Sequence, residues 1–465
     1  MGAHAVSRIY DPSVEENVGE GELTAYYDSR RREYLVRDKL GGWLPLNETQ
    51  YKRRLRRDGL RSKAEDGELI SEVDARLLEV QEEFNIDYAG PVAGYDSGFY
   101  TEGETRFLVT RSPNVPKPEP GDWSTIKALI NGLLRDDTGQ INHLYGWLKI
   151  ACEALRERKF RPGQAVAFAG PRESGKSLLQ NHIITPALGG RVAKPYQHMV
   201  GDTPFNSDLF AAEHLSIEDE HASTDIRARL KFGAQIKNIT VNDIQRCHQK
   251  NREAFTMRPF WRLSISLNDE PEHMMVLPPM DESIEDKIML FKVSKKPMPM
   301  PTRTLEERQA FLDRIAKELP AFLHWLTEWE IPEDIRCQRF GVRYFHHPEL
   351  LEEINDLSPE ERFMGFIDLV LFDNGASMNG SWTGKAIELQ HELTDQDSPV
   401  QREAQKLLGW NCACGSYLGR LAKRKEYKDR IKSDGQKGKS RNRLWTIHPP
   451  RGGVNTMNTL FPTER

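Results

Sequence analysis

The sequence predicts an α/β protein whose central domain contains a mainly parallel β-sheet. From residue 161 onward, short apolar runs of strand character alternate with helical runs, a pattern typical of a parallel sheet covered by helices. A glycine-rich segment, residues 170–177, joins the first of these strands to a helix. Proline-rich stretches at 111–122 and 295–304 bound this region, because proline removes backbone hydrogen bonds from helices and sheets. The predicted fold is therefore an α/β core with further domains on both sides.

Length and composition predict a soluble protein of several domains. The chain has 465 residues, whereas a typical domain has about 150. Hydrophobic residues make up 38% and charged residues 29%, as in soluble globular proteins. We find neither an apolar run of membrane length nor a secretory signal, so we expect a cytoplasmic protein without a membrane partner. The scattered cysteines, odd in number, argue against a disulfide framework and a four-ligand zinc site.

Proline-rich stretches and changes in hydrophobic periodicity divide the chain into six predicted segments. They are an N-terminal α+β domain, a helical collar, the α/β core, a helical lid, a C-terminal domain and a tail. These segments cover residues 1–115, 120–160, 161–300, 301–338, 340–450 and 451–465. Residues 24–46 predict a hairpin, after which Asn47 and Gln50 resemble a capping box that opens a helix ending at Gly59. Helical spacing predicts helices within 123–158 and 305–330.

The strongest motif is the segment that fits G-x-x-x-x-G-K-[ST] at every fixed position. It consists of Gly170, Pro171, Arg172, Glu173, Ser174, Gly175, Lys176 and Ser177. In such a loop the backbone N–H groups face phosphates, and the helix N-terminus adds a favourable field. Lys176 then reaches the β- and γ-phosphates, while Ser177 holds Mg²⁺. The segment thus predicts ATP and Mg²⁺ as cofactors; the alternative is a chance glycine-rich turn.

Two further strands end in polar residues. Residues 213–217 read as a strand that ends in Glu218, Asp219 and Glu220. Acids at that end of a strand can bind the Mg²⁺ shell and polarise the attacking water, so we assign Asp219 to the metal and Glu220 to the water. Glu218 with Asp219 is the competing pair. The strand at 260–267 ends in Asn268, which we expect to contact the γ-phosphate or the attacking water.

The compact succession of loop, acids and Asn268 resembles the superfamily 3 helicases, especially the primase-helicases of phages, plasmids and large DNA viruses. This likeness implies a P-loop NTPase core of the AAA+ type, in which residues 170–177, 218–220 and 268 are Walker A, Walker B and the sensor asparagine. It also implies a β-hairpin whose basic tip grips single-stranded DNA in the channel of a hexamer. Residues 236–243 and 254–267 read as its strands, with Lys250 and Arg252 at the tip and Lys237 as a further cation. The alternative for the tip is a solvated loop.

The chain departs from this family after Asn268. The family usually has an arginine there that reaches into the neighbouring subunit's ATP site, whereas this sequence offers Lys287. Lysine supplies charge but not the planar fork of a guanidinium. Arg258, Arg262 and Arg303 are the substitutes that we consider.

The C-terminal domain is similar to a winged helix. Residues 382–391 and 399–408 read as helices, and residues 413–424 as a candidate recognition helix. A basic wing follows, in which Lys437, Lys439 and Arg441 are candidate DNA contacts for a duplex. A second basic cluster, residues 52–63, reads equally as a nucleic-acid surface or as an exposed helix face.

Two functions of different classes follow from these patterns. The first is a hexameric ATP-dependent DNA helicase in the replication of a phage, plasmid or other mobile element, with a primase or polymerase as a partner. The second is a nucleotide-dependent oligomeric switch or defence ATPase that binds DNA without unwinding it. The basic hairpin favours the helicase, and the missing arginine favours the switch.

Overall fold

The computed structural model describes most of the chain, and two compact units divide it at residues 350 and 351. The described ranges are 25–159, 161–218, 226–248, 254–268, 271–274, 276–278, 280, 283–356, 359–373, 380–424, 427–434 and 443–450. In these ranges no helix is both long and apolar enough to cross a membrane.

The first unit begins with two small sheets. The first has the strand order β3-β2-β1-β4, and the second has the order β5-β7-β6. Their strands are β1 Ala25–Asp28, β2 Glu33–Arg37, β3 Trp43–Leu46, β4 Asn85–Ile86, β5 Tyr88–Gly90, β6 Gly98–Glu102 and β7 Thr105–Val109. Helices α1 Glu48–Arg57 and α2 Glu72–Glu83 cover the first sheet. The hairpin expected in residues 24–46 is confirmed, as is the capping box of Asn47 and Gln50.

Residues 111–122 contain neither helix nor strand and lead into two helices. These are α3 Ser124–Leu133 and α4 Thr138–Arg156, which confirms the helical prediction for residues 123–158. Most of α4 is buried, because it packs against the parallel sheet and against a long helix further along the chain. That helix is α10 Leu305–Glu328, which begins with a capping box at Thr304.

The core of the first unit is a parallel sheet with the strand order β14-β8-β13-β10-β9. Its strands are β8 Ala165–Ala169, β9 Val192–Ala193, β10 His214–Glu218, β13 Arg262–Leu267 and β14 Ile288–Lys292. The central strands are buried throughout or nearly so, as expected of a parallel sheet with both faces covered. This confirms the predicted mixed α/β architecture.

Helices, most of them short, connect the core strands. They are α5 Lys176–Leu179, which continues through a π-helical turn at Gln180–Ile184 into α6 Thr185–Ala187, then α7 Tyr196–Val200, α8 Ile226–Val241 and α9 Pro271–Met274. Single 3-10 turns lie at Leu209–Ala211, Glu285–Lys287 and Glu333–Ile335. Strands β15 Arg336–Cys337 and β16 Gly341–Val342 pair with each other near the end of the unit.

The predicted strand at residues 236–243 is wrong, because α8 extends through Val241. Branched residues suggested a strand, but Phe232, Ile236 and Thr240 are buried at a spacing of four, which is a helical period. The hairpin itself exists, between β11 Gln245–Cys247 and β12 Phe255–Met257. The predicted second strand, residues 254–267, is two strands, β12 and β13, and Pro259 lies in the break between them.

The second unit contains helices and a small antiparallel sheet in the order β17-β19-β18. Its helices are α11 Pro348–Asp356, α12 Pro359–Ile367, α13 Ala386–Thr394, α14 Gln401–Leu407 and α15 Ala413–Leu421. The first turn of α11 belongs to the first unit, and a π-helical segment at Asp368–Asp373 follows α12. The strands are β17 Trp382–Lys385, β18 Ile431–Asp434 and β19 Leu444–Ile447. The predicted helix at residues 382–391 is therefore wrong in its first turn, because residues 382–385 pair with β19.

Candidate functional site

The carboxyl ends of β8, β13 and β10 meet at one edge of the core sheet, because these strands are parallel neighbours. The loop 170–177 follows β8, Asn268 follows β13, and Glu218 is the last residue of β10. Since β13 lies between β8 and β10, Asn268 is placed between the loop and the acid. The sheet topology thus brings together three sequence-predicted groups that are far apart along the chain.

The loop leaves the sheet through a position that only glycine can occupy. A Cβ atom on Gly170 would lie 2.2 Å from the carbonyl oxygen of Val293, which follows the neighbouring strand β14. At the other end of the loop, Gly175 has a φ of 105°, in the left-handed region that favours glycine. The two glycines of the motif are therefore required by close packing and by backbone conformation.

Lys176 lies buried in the first turn of α5, with its ammonium group turned back into the loop. Nζ donates hydrogen bonds to the carbonyl oxygens of Gly170 and Pro171, at 2.6 and 2.8 Å, and to Oδ1 of Asn268 at 3.3 Å. Asn268 is itself 5% exposed. The ammonium group therefore joins the loop to the strand β13.

Glu218 has hydrogen-bond donors on two sides. Ser216 on its own strand and Asn181 after the loop donate to the carboxylate, and Lys194 forms an ion pair with Oε1. Burial raises the pKa of this carboxyl, but the hydrogen bond and charge of Lys194 outweigh burial, so the pKa is lowered overall. The nearby hydroxyl of Ser177 also lowers the pKa of this carboxyl. Glu218 is thus a carboxylate at neutral pH and lies within reach of Ser177.

A cavity of about 660 Å³ opens beside Lys176 and Asn268 and is lined by residues 172–178, Asn268, His273 and Met298. The hydroxyl oxygen of Ser174 is buried in the loop without a hydrogen-bond partner among the described residues. A buried polar atom without a partner is costly unless a ligand satisfies it. The oxygen atoms of Ser177 and Glu218 are of the hard type that Mg²⁺ prefers. The cavity therefore fits a polyphosphate with Mg²⁺.

Asp219 and Glu220, to which we assigned the metal and the water, lie outside the described residues. In the described part of the site, Glu218 is the acid whose pKa the Ser177 hydroxyl lowers. The choice between the pairs Glu218 with Asp219 and Asp219 with Glu220 stays a prediction.

A ring of hydrogen bonds beneath the site was missed by the sequence patterns. Nε2 of Gln180 donates to the hydroxyl of Ser264 at 2.7 Å, and that hydroxyl lies 2.7 Å from Nε2 of His214. Nδ1 of His214 lies 2.6 Å from the hydroxyl of Thr185, which donates to the backbone carbonyl of Gln180. Burial lowers the pKa of His214 to about 3, so its ring is neutral. The sequence signal that could have predicted this ring is the presence of polar residues within otherwise apolar strands and a helix.

The donors in this ring can be assigned in one consistent direction. Since Thr185 donates to a carbonyl, its oxygen accepts from Nδ1–H of His214, and the other ring nitrogen accepts from the Ser264 hydroxyl. His214 and Ser264 each stand four residues before a site residue, Glu218 and Asn268 respectively. The ring therefore ties the helix after the loop to both strands that deliver those groups.

The candidates for a trans-acting cation occupy different surroundings. Lys287 immediately precedes β14, which places it at the opposite edge of the sheet from the loop, and its ammonium pairs with Asp286. Arg258 pairs with Glu102 and Asp243. Arg262 is 1% exposed, and burial lowers its pKa to about 9. Arg262 therefore cannot reach a neighbouring subunit, whereas Arg303 lies on the surface.

The predicted DNA contacts are only partly described. Lys250, Arg252, Lys437, Lys439 and Arg441 lie outside the described residues. Lys237 lies on α8 rather than on a hairpin strand, and its ammonium donates to the hydroxyl of Ser283.

Acidic side chains pair with several cations of the basic cluster 52–63 and of another basic cluster, residues 420–443, whose later part is the predicted wing. In residues 52–63, ion pairs engage Lys52, Arg54, Arg57 and Arg61. On and after the candidate recognition helix, ion pairs engage Arg420, Arg424 and Arg430. Acids of the same unit therefore neutralise part of the positive charge of both clusters.

Comparison with known proteins gives a shared fold but no family for the whole chain. A family described as being of unknown function (DUF5906) matches residues 168–283, which contain the loop, Glu218 and Asn268. A search of curated proteins finds no match.

Among solved structures, the apo structure of the NrS-1 C-terminal region (305-718) is similar at 13% identity, with a TM-score of 0.54, over 94% of this chain and 97% of that one. A second structure of that region, its A form, has a TM-score of 0.53 at 12% identity over 94% and 98% of the chains. These likenesses show the fold alone. The active helicase SCCmec type IV Cch has a TM-score of 0.30 at 9% identity, over 85% of this chain and 72% of that one, which is too low to support an argument.

Proposed function

We propose that this protein is an ATP-dependent DNA helicase of the superfamily 3 type, which moves along single-stranded DNA as a ring. The observation that carries the proposal is the convergence of Lys176, Ser177 and Asn268 on one cavity, with Glu218 at the end of a neighbouring strand of the same parallel sheet. Ligands bind at that edge in open α/β sheets. The match in overall fold to the NrS-1 C-terminal region is compatible with this assignment.

Lys176 is the phosphate-binding cation in this proposal. Its hydrogen bonds within the described part of the site include two backbone carbonyls and one amide oxygen, which are neutral acceptors. Phosphate oxygens are charged, and charge-assisted hydrogen bonds are about twice as strong as neutral ones. We therefore expect the ammonium to turn from the carbonyls toward the β- and γ-phosphates of ATP, as the loop backbone and the Ser174 hydroxyl bind the same group.

Ser177 and Glu218 are the described residues that would hold Mg²⁺, with Asp219 as a further ligand. When bound, Mg²⁺ neutralises charge that develops on the transferred phosphoryl group. Glu220 or Asp219 would orient and deprotonate the attacking water. Asn268 would hold the γ-phosphate or that water through its amide, and its bond to Lys176 reports the state of the loop to β13.

The DNA would be bound by two parts of the chain. The β11–β12 hairpin leads into a tip that carries Lys250 and Arg252, which would contact DNA phosphates in the channel of a hexamer. The second unit would act as a winged-helix-like module on duplex DNA, a proposal supported by its helices and the sheet order β17-β19-β18. Replication of a phage, plasmid or other mobile element, with a primase or polymerase partner, is the biological setting that we infer.

A forked-duplex unwinding assay tests the proposal. Purified full-length wild type should hydrolyse ATP in the presence of Mg²⁺ and separate the strands of the fork. Lys176→Ala should lose both activities, whereas Lys250→Ala should lose unwinding and retain basal hydrolysis. A wild type that hydrolyses ATP without separating strands would contradict the helicase.

That outcome would favour the alternative, a nucleotide-dependent DNA-binding switch or defence ATPase. One observation keeps this alternative open. Lys287 is held by Asp286, Arg258 is engaged by two acids, and Arg262 is buried. Arg303 is thus the one of the four candidates that lies exposed on the surface. A ring in which no cation reaches the neighbouring ATP site would couple hydrolysis to movement only weakly.

A further inference from the structure

Lys194 stands at the edge of the candidate site, although no sequence motif marks it. It follows β9, the strand that pairs with β10 through Val192 opposite His214 and Ala193 opposite Leu215. The parallel register carries Lys194 to the level of Ser216, two residues before Glu218. The topology therefore places an ammonium group beside the acid at the end of the next strand.

The side chains of Lys194 and Glu218, which form an ion pair, differ in their exposure to solvent. The Glu218 side chain is 20% exposed, whereas the Lys194 side chain is 58% exposed. The carboxylate also accepts hydrogen bonds from Ser216 and Asn181. The side chain of Lys194, by contrast, follows β9, the last strand in the described sheet order. Of the two partners, Lys194 is thus the one that can move into solvent at little cost.

The same carboxylate is a predicted ligand of Mg²⁺ in the proposed function. Lys194 pairs with Oε1 of Glu218, so a magnesium ion held through that oxygen would compete with the ammonium for the same atom and the same negative charge. We propose that Lys194 is an exchangeable counter-ion of Glu218, which pairs with it while magnesium is absent and withdraws when magnesium-bound nucleotide enters. This inference rests on the proposed nucleotide site and adds a positioning residue to it.

Two consequences follow from this exchange. While the site is empty, Lys194 keeps the partly buried Glu218 paired and in place, because an unpaired charge there would be costly. When magnesium-bound nucleotide enters, Lys194 would release Oε1 of Glu218, which together with Ser177 would hold the metal. Removal of the ammonium should therefore make magnesium binding easier and should leave the contacts to the phosphates unchanged.

The test uses binding of the fluorescent nucleotide mant-ADP to the full-length protein while Mg²⁺ is titrated, so that no turnover is needed. Lys194→Met keeps the aliphatic chain and removes the charge. We expect it to lower the half-saturating Mg²⁺ concentration by about two- to fivefold, as the loss of an exposed ion-pair competitor predicts. Lys194→Arg should restore the wild-type value.

Two controls sharpen the result. Lys159→Met removes another exposed lysine of the first unit that pairs with an acid, Glu157, and it should leave the Mg²⁺ requirement unchanged. In a Glu218→Gln background, Lys194→Met should have no effect of its own, because the carboxylate for which the two cations compete is gone. Thermal melts of all variants verify that they fold.

An unchanged Mg²⁺ requirement in Lys194→Met would overturn the inference. Weaker binding of mant-ADP without Mg²⁺ would also overturn it, because Lys194 would then be a direct phosphate contact. Both results leave the proposed function intact, since wild type still binds the nucleotide. Wild type that binds no mant-ADP at any Mg²⁺ concentration would instead contradict the proposed function itself.

Discussion

Nζ of Lys176 and Oδ1 of Asn268 are joined by a hydrogen bond of 3.3 Å, although 92 positions separate the two residues in the sequence. The bond links the loop after β8 to the end of β13. It makes the amide of Asn268 a neighbour of the group that we propose to bind phosphate.

Asn268→Ala should slow ATP turnover more than it weakens ATP binding. The amide is proposed to hold the γ-phosphate or the attacking water, and the loss of one such group typically costs about 100-fold in kcat. Steady-state kinetics together with nucleotide binding would measure both effects. Asn242→Ala, at an exposed amide after α8, is the matched control and should leave both values unchanged. An equal loss of kcat and of ATP affinity would assign Asn268 a general role in binding.

Gly170→Ala should abolish nucleotide binding and destabilise the fold. The added Cβ would lie 2.2 Å from the carbonyl oxygen of Val293, so the strand ends must separate. A strained or overpacked site of this kind costs about 1–3 kcal/mol. Gly132→Ala is the control. Gly132 lies inside α3, and its added Cβ would be at an ordinary contact distance of 3.7 Å from Lys296. Alanine at this position should stabilise the helix by up to about 1 kcal/mol. Urea denaturation would contradict the account if Gly170→Ala were as stable as wild type.

Arg191→Met should destabilise the first unit strongly. Its guanidinium binds the carboxylate of Glu213, which is 0% exposed, and also donates to the carbonyl oxygens of Arg111 and Val92. The change leaves a buried carboxylate without its counter-ion, which costs about 3–5 kcal/mol. In the same denaturation experiment, Lys159→Met removes an exposed pair and should cost less than about 1 kcal/mol. A comparable small loss for both variants would show that the buried pair contributes little.

His214 should make the fold sensitive to mild acid. Burial lowers its pKa from an ordinary 6.5 to about 3. Between these two pH values, the unfolded chain binds a proton at this residue whereas the folded chain does not. The free energy of unfolding therefore loses nothing to this residue above pH 6.5, and it falls by about 1.4 kcal/mol per pH unit as the pH decreases from 6.5 toward 3. His214→Gln should therefore show a shallower loss of stability between pH 7 and 5 than wild type. Parallel stability curves for the two proteins would contradict the neutral, buried imidazole.

Local signals in the sequence predicted the fold well where a few neighbouring residues decide it. The capping box of Asn47 and the strand before the loop depend on short-range hydrogen bonds and on continuous burial, and both are confirmed. The strand predicted at 236–243 failed because branched side chains favour strands in isolation, whereas burial at every fourth residue selects the helix.

The candidate site shows the same division. The loop motif places Lys176 and Ser177 together because they are adjacent in sequence. The ion pair between Lys194 and Glu218, and the ring through His214 and Ser264, depend on strand order. Strand order depends on how the whole sheet packs, so no local sequence pattern predicts these contacts.

The most direct test of the account is ATP binding and hydrolysis by purified full-length protein with Mg²⁺, compared with Lys176→Ala. The proposed site predicts that wild type binds and cleaves ATP and that the variant loses at least about 100-fold in turnover, because a preorganised cation is removed from the developing charge. Wild type that neither binds nor cleaves ATP, or a variant as active as wild type, would contradict the claim that these residues form a nucleotide site.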